Sequence, residues 1–154
     1  MKYVVILLVS CVFWVGCGNK HAFEQYVNLP NYVWSKTNTV VINADLENDI
    51  TAANVNLLVR YGTAYPFDAL TVQVVSTAPN KKVQKANYSI PLRDAAGKNL
   101  GSGMGDMWDV SFPIAKNVGM QKGQYSFEIS HTMEEDIIPM LVDIGLSIDD
   151  VKKQ

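Results

Sequence analysis

Apolar and polar residues alternate with a period of two along most of this chain. Seven segments carry the pattern: 40–44, 55–61, 70–74, 86–92, 108–114, 125–129 and 142–148. In segment 55–61 the apolar face comprises Val55, Leu57, Val59 and Tyr61. Successive side chains of a strand point to opposite faces, so each segment can bury one side and expose the other. Such one-sided burial predicts antiparallel strands.

Turn-forming residues separate these segments at 45–49, 78–80, 94–105 and 119–123. Seven or eight strands without intervening helices predict an all-β fold, an antiparallel β-sandwich of jelly-roll or immunoglobulin-like topology. One short helix is expected near the C-terminus, from Thr132 to Met140, where Pro139 limits it. Pro91 and Pro113 fall on polar faces and predict edge strands or bulges, because proline has no N–H to donate.

The first 16 residues have the order of a secretory signal. Lys2 supplies a positive charge, residues 3–15 are almost entirely apolar, and Gly16 precedes Cys17. The apolar run is too short for an ordinary membrane span. We therefore predict a lipoprotein signal peptide at 1–16 and lipidation of Cys17, followed by a tether at 17–22 and one domain at 23–154.

Two other interpretations of this region stay open. Cys11 follows Leu8-Val9-Ser10, which fits the usual lipobox better, whereas Cys17 has Trp14 where leucine is usual. Cleavage before Cys11 would leave a very short apolar core and an apolar mature N-terminus. The third possibility is a plain signal peptide or an anchoring helix. The flanks of Cys17 favour it as the lipidated residue.

Composition restricts the partners and the sources of stability. Removal of the signal leaves 138 residues, enough for one domain with its own core. The formal charge is −2 and no basic stripe is present, so nucleic acid is not an expected partner. Both cysteines lie in or at the end of the signal, so we expect no internal disulfide.

Catalytic or metal-binding motifs are not evident. His21 lies in the tether and is expected to be solvated. On the expected helix, His131 would share a face with Glu134 or Glu135, but two ligands are too few for a zinc site. We therefore expect no catalytic residues, metal or cofactor.

The glycine-rich segment 101–105 permits two interpretations. No helix clearly follows it, so it predicts a strand connection with positive φ rather than a phosphate-binding loop. Alternatively Trp108, with Asp106, Asp109 and Asp94 nearby, forms a patch that binds a sugar or a calcium ion. Arg60, on a polar strand face, is either solvated or paired with a carboxylate across the sheet.

Several segments occur together in a recognisable order behind Cys17. They are the aromatic stretch ending at Trp34, Leu57–Arg60 followed by Tyr65-Pro66, 92–103 followed by Asp106, 123–127, and 142–146. In this combination the chain resembles the GldH family of gliding-motility lipoproteins of Bacteroidota-type bacteria. The resemblance extends over nearly the whole mature chain.

The resemblance implies a non-enzymatic, lipid-anchored component of the gliding apparatus, with no cofactor. Its expected partners are membrane lipid, through acyl chains such as palmitate on Cys17, and other envelope lipoproteins or the neighbouring secretion machinery. Gly18 after Cys17 does not suggest retention at the inner membrane, so we expect the periplasmic face of the outer membrane. A glycan-binding module of the envelope, using Trp108, is the alternative, and an enzyme comes third.

Overall fold

A computed structural model describes residues 21–153 of the chain. Within that range the chain forms eleven strands and two 3-10 turns, at Pro30–Tyr32 and Val151–Lys153. The strands are β1 (Phe23–Asn28), β2 (Val33–Ser35), β3 (Val40–Leu46), β4 (Ile50–Gly62), β5 (Ala69–Thr77), β6 (Val83–Pro91), β7 (Ser102–Met104), β8 (Met107–Met120), β9 (Gly123–His131), β10 (Ile137–Pro139) and β11 (Leu141–Asp150).

The strands form two main antiparallel sheets. The five-stranded sheet has the order β1-β11-β4-β8-β7, the four-stranded sheet has the order β3-β9-β5-β6, and β2 pairs with β10 beside them. The chain passes repeatedly from one main sheet to the other, so apart from the pairs β5–β6 and β7–β8 the neighbours within a sheet are not consecutive in sequence. This arrangement is that of a jelly roll, one of the two topologies that the sequence pattern allowed.

One hydrophobic core fills the space between the inward faces of the two main sheets. The predicted apolar face of segment 55–61 is confirmed, because Val55, Leu57, Val59 and Tyr61 of β4 are all buried in this core. β-branched and aromatic residues dominate this face, as expected for a pleated surface that packs on one side. Each fully buried aliphatic side chain stabilises the fold by about 1.5–3 kcal/mol relative to exposure.

Both prolines lie where their missing N–H is tolerated. Pro91 ends β6, which is an edge strand of the four-stranded sheet. Pro113 faces a register shift, because Asn56 pairs with Pro113 whereas Val55 pairs with Ala115. The prediction of edge strands or bulges at these residues is confirmed.

The predicted helix from Thr132 to Met140 is wrong. Residues 132–136 form a turn, and Ile137–Pro139 forms β10, which pairs with β2. Ile138 is fully buried whereas Ile137 is 60% exposed, which is strand alternation. Pairing with β2 stabilises this strand over the helix, which Pro139 would have interrupted.

The predicted signal peptide, Cys11 and Cys17 lie outside the described residues. The described chain begins with His21 and Ala22, the last two residues of the predicted tether, and the Ala22 N–H donates to the Ile148 carbonyl at 2.8 Å. Within residues 21–153, no helix has the length and apolar character needed to cross a membrane.

Candidate functional site: the outer face of the five-stranded sheet

The face of the five-stranded sheet that points away from the core carries an ordered set of polar and apolar rows. Directly paired residues of antiparallel strands share a face, so the strand register gives the rows. At one end Met104 pairs with Met107, which pairs with Gly62. Towards the other end, Asp149 pairs with Asn54, close to His21. We call this surface the outer face.

Arg60 lies at the centre of a charged row that joins four strands. Its Nε donates to Asp109 Oδ1 at 2.8 Å and its Nη2 to Asp109 Oδ2 at 3.3 Å. Its Nη1 donates to Asp143 Oδ2 at 3.2 Å, and the Asn28 amide donates to Asp143 Oδ1 at 3.1 Å. The hydrogen bond to Asp109 is the main reason that the pKa of Arg60 is raised. The cross-strand pairing that the sequence left open for Arg60 is therefore present.

Tyr26 covers the middle of the outer face. Its ring lies over the Arg60 guanidinium, 5.6 Å from ring centroid to Cζ, a cation–π geometry. Gly145 directly opposite makes room for the ring, because a Cβ there would lie 2.8 Å from Tyr26 Cδ1. Burial, followed by the negative charge of Glu24, raises the pKa of the Tyr26 hydroxyl.

An apolar, methionine-rich strip occupies one end of the outer face. Met104 is 87% exposed, Tyr32 is 50% exposed and Met140 is 40% exposed. Met140 Sδ would lie 3.5 Å from a Cβ on Gly62, which pairs with Met107. Tyr32 lies at the same end, because the neighbouring Val33 pairs with Pro139, the residue before Met140. We call Tyr32, Met104, Met107 and Met140 the methionine edge.

The backbone of the methionine edge is strained. Tyr32 has φ 58° and Met140 has φ 62°, in the left-handed region that L-residues other than glycine, asparagine and aspartate rarely adopt. Such conformations cost of order 1–3 kcal/mol each and cluster at functional positions. Among the described residues, two of the five non-glycine residues with positive φ thus belong to the methionine edge.

His21 contacts β11 at the end of the outer face opposite the methionine edge, where the described part of the chain begins. Its Nδ1 contacts Asp149 Oδ1, and its Nε2 lies 2.9 Å from Glu24 Oε2. The Asn56 amide donates to the other Asp149 oxygen at 2.9 Å. His21 is therefore not a free spacer residue, because its ring holds the N-terminal segment against β11.

The structure does not bring the residues of the sequence-predicted ligand patch together. Trp108 packs inward on Gly103 and its Nε1 donates to Thr63 Oγ1 at 3.1 Å. Asp109, the next residue, points to the outer face and binds Arg60. Asp106 lies at the tip of the β7–β8 turn. In the glycine-rich segment 101–105 that precedes it, Gly101 and Gly105 have the expected positive φ.

Asp94, the fourth residue considered for that patch, orders its own turn. Its Oδ1 accepts the backbone N–H groups of Ala96 and Lys98, both at 2.9 Å. This is the local pattern by which aspartate replaces backbone partners in turns. The carboxylate is thus occupied by its own loop.

His131 is buried at the end of β9. It is 2% exposed and its ring meets Trp34 edge-on, with centroids 5.3 Å apart. Burial lowers the pKa of His131, and the positive charge of Lys36 acts in the same direction. Glu134 and Glu135 are exposed. Across the described part of the chain, no group of three or more His, Cys, Asp or Glu residues is placed to hold a metal ion.

The methionine edge was hardly predictable from the sequence. Tyr32 and Met140 lie between strands, Met104 ends β7 and Met107 begins β8, and none of the four belongs to an alternating segment. The only available signal was Met104 itself, an apolar residue between two glycines in a polar loop. The proximity of Tyr32, Met140 and Met104 depends on the strand order, which the alternation does not determine.

Comparison with solved structures gives weak similarity. A chain in a structure of the infectious bursal disease virus Gx strain is 11% identical, covers 83% of this chain and has a TM-score of 0.30; this chain spans 32% of that chain. The structure of TmCBM61 in complex with beta-1,4-galactotriose is 10% identical with a TM-score of 0.29, over 85% of this chain and 87% of that chain. No curated protein matches the sequence.

Comparison with protein families gives a match over most of the chain. The GldH lipoprotein family matches residues 21–148, which confirms the resemblance seen in the sequence segments. This protein therefore belongs to the GldH lipoprotein family.

Proposed function

We propose that this protein is a lipid-anchored, non-enzymatic interaction component of the gliding-motility apparatus. The observation that carries the proposal is the family match over residues 21–148. In this proposal Cys17 bears the acyl chains and the domain faces the periplasm from the outer membrane. The domain acts by binding another envelope lipoprotein or a component of the neighbouring secretion machinery.

The position of His21 supports an anchor at one end of the domain. His21 follows Cys17 by four residues and is held by Asp149 and Glu24. The Ala22 backbone extends the contact by its hydrogen bond to Ile148. A lipid on Cys17 would place this end of the sandwich, which we call the tether end, at the membrane surface.

The methionine edge supports a binding role at the other end. Exposed methionines are common at protein-binding surfaces because their flexible, polarisable side chains adapt to a partner. Exposed apolar groups that lie together indicate an interaction site more strongly than scattered ones. The methionine edge lies at the end of β4 opposite the tether end, where an anchored protein would meet a partner.

Intact mass spectrometry of protein extracted from native membranes tests the anchor. We expect the mass of residues 17–154 plus acyl groups, and release of a Cys17→Ala variant from the membrane. An unmodified mass, or acylation at Cys11, would refute the proposed site. Protease added to intact cells tests the orientation, since rapid digestion would place the domain at the cell surface instead.

Co-purification from envelope membranes in mild detergent tests the binding role. Met104→Asp places a charge in the methionine edge at a residue that is already 87% exposed, so the fold should be retained. Val41→Asp makes the same change at a 49% exposed residue of β3, in the other sheet. We expect partners with the wild type and with Val41→Asp, and loss with Met104→Asp. Recovery of the wild type alone would contradict the proposal.

A further inference from the structure

An open groove separates the two main sheets along the side where β6 and the second half of β8 are edges. Its volume is about 480 Å³, within the range of small-molecule sites. Val55, Val74 and Phe127 contribute to its apolar floor, and Tyr88 closes one end through a hydrogen bond from its hydroxyl to the Ile114 carbonyl at 3.2 Å. The side chains of Val55, Val74 and Phe127 belong to the buried core, so the groove reaches down to the margin of the core.

The charge around the groove has one sign. Lys82 is the single charged residue among those that line it, and no carboxylate is present there. Among the described residues, Lys82 makes no ion pair. Asn80, Gln84 and Gln121 add side-chain amides near the same mouth. An unpaired ammonium with amide donors above an apolar floor is complementary to an anion that carries an apolar tail.

The edges of the groove do not favour an added peptide strand. On β8, Pro113 lacks an N–H, Asn117 has φ 53°, and the Ile114 carbonyl already accepts the Tyr88 hydroxyl. Proline, bulges and lysines are the means by which edge strands resist strand addition. An occupant that needs no backbone pairing therefore fits the groove better than a strand of a partner protein.

The groove opens at the tether end of the sandwich. Val118 pairs with Ala53, and Ala53 pairs with Asp150, the residue after the Asp149 that binds His21. Three inter-strand spacings separate β8 from β1, which is roughly 14 Å. An anchored domain would thus hold the groove close to the bilayer surface.

We propose that this groove binds an anionic amphiphile, with the acyl chain between the sheets and a carboxylate or phosphate headgroup at Lys82. The supply of this ligand from the membrane rests on the proposed lipid anchor, whereas the chemistry of the groove does not. Fatty acids and phospholipids share the required chemistry.

Site-specific photocrosslinking in the native envelope tests the proposal with the full chain. Benzoylphenylalanine replaces Val118, a 36% exposed residue of the groove, or Val41 as the matched position outside it. After irradiation, intact mass spectrometry should show a lipid-sized adduct at Val118 and none at Val41. The adduct mass distinguishes a fatty acid from a phospholipid. A protein-sized adduct, or no adduct, would overturn the proposal.

Charge reversal adds an independent readout. Lys82→Glu in the Val118→benzoylphenylalanine chain should lower adduct yield roughly tenfold, because a charge-assisted contact becomes repulsive. Lys98→Glu reverses an exposed lysine outside the groove and should leave the yield unchanged. Equal yields in both variants would refute the role of Lys82. A chain that leaves the membrane yet carries the adduct would contradict only the anchor.

Discussion

His131 is a buried titratable residue at the end of β9. It is 2% exposed, packs against Trp34, and neither ring nitrogen has a hydrogen-bond partner among the described residues. Desolvation disfavours the charged imidazolium, so the folded state holds the ring neutral with a lowered pKa. Its position therefore couples protonation to unfolding.

Stability should fall when pH drops below the ordinary histidine pKa of 6.5. Because the pKa of His131 is lowered in the folded state, the unfolded chain takes up the proton at a higher pH than the fold does. Protonation therefore stabilises the unfolded state relative to the fold. The stability associated with the neutral His131 ring is fully present above pH 6.5 and is lost as pH falls towards the lowered pKa of the folded state. Urea unfolding at several pH values should show this slope in the wild type and a flatter profile in His131→Leu. Parallel profiles would assign the slope to other groups.

Gly145 is the position on the outer face where a single methyl group has the largest expected effect. A Cβ there would lie 2.7 Å from the Gln25 carbonyl oxygen and 2.8 Å from Tyr26 Cδ1. Gly145→Ala should therefore push β1 away from β11 and cost about 1–3 kcal/mol of unfolding free energy. Gly119→Ala is the matched control, because a Cβ there would have the Thr51 carbonyl oxygen as its nearest neighbour, 3.9 Å away. Equal free energies of unfolding in urea for the two variants would show that β1 can move away from β11 without loss of stability.

At the scale of elements, Tyr61 of β4 fastens the long connection between β6 and β7. Its buried hydroxyl bonds to the Leu92 carbonyl at 2.6 Å and lies 3.0 Å from the Leu100 carbonyl. Tyr65 packs edge-on against Tyr61 at 5.8 Å, and Arg93 donates to the Tyr65 carbonyl. One aromatic residue of the central strand thus holds both ends of the connection.

Tyr61→Phe should loosen this connection while the sheets persist. Loss of the hydroxyl leaves the buried carbonyls with fewer partners, at a cost of about 1–2 kcal/mol. Hydrogen exchange should quicken at the Leu100 amide, which bonds to the Leu92 carbonyl, more than at amides of β9. Tyr125→Phe, whose hydroxyl accepts an exposed backbone N–H, should cost less. Uniform exchange across the domain would contradict a local effect.

The elements that the sequence predicted are those in which apolar and polar residues alternate over five or more residues. All seven alternating segments are strands, because one face of each packs on the shared core. The three-residue strands β2, β7 and β10 are too short for a period, and their pairing partners create them. The helix prediction at 132–140 failed for that reason, because local pattern carried no information about β2.

The candidate site was less predictable than the fold. The alternation placed Arg60 on a polar face, but its bonds to Asp109 and Asp143 require the order β11-β4-β8. That order depends on long-range pairing rather than on local pattern. Local pattern likewise did not show which N-terminal aromatic residues are buried. Trp34 is fully buried, whereas Tyr26 and Tyr32 are exposed.

Over the whole molecule, the two ends of the sandwich differ in charge. At the tether end, Lys81, Lys82, Lys122 and Lys152 are offset by Glu24, Glu47, Asp49, Asp149 and Asp150. Those at the methionine edge's end carry Asp68, Asp94, Asp106, Glu134, Glu135 and Asp136 against Lys36, Arg93 and Lys98. The acidic end suits a partner with basic residues around its apolar contact, whereas the charges of the tether end nearly cancel.

The separation of these ends predicts that the groove and the methionine edge act independently. On β4, seven residues separate Val55 of the groove from Gly62 beside the methionine edge, or roughly 23 Å at 3.3 Å per residue. Effects at sites so far apart usually add within about 0.5 kcal/mol. The Lys82→Glu and Met104→Asp double variant should therefore lose the lipid adduct as Lys82→Glu does, and lose partners as Met104→Asp does, each within about twofold. If Lys82→Glu alone also released the partner, the groove would be part of the partner's docking surface, and the two ends would not have separate roles.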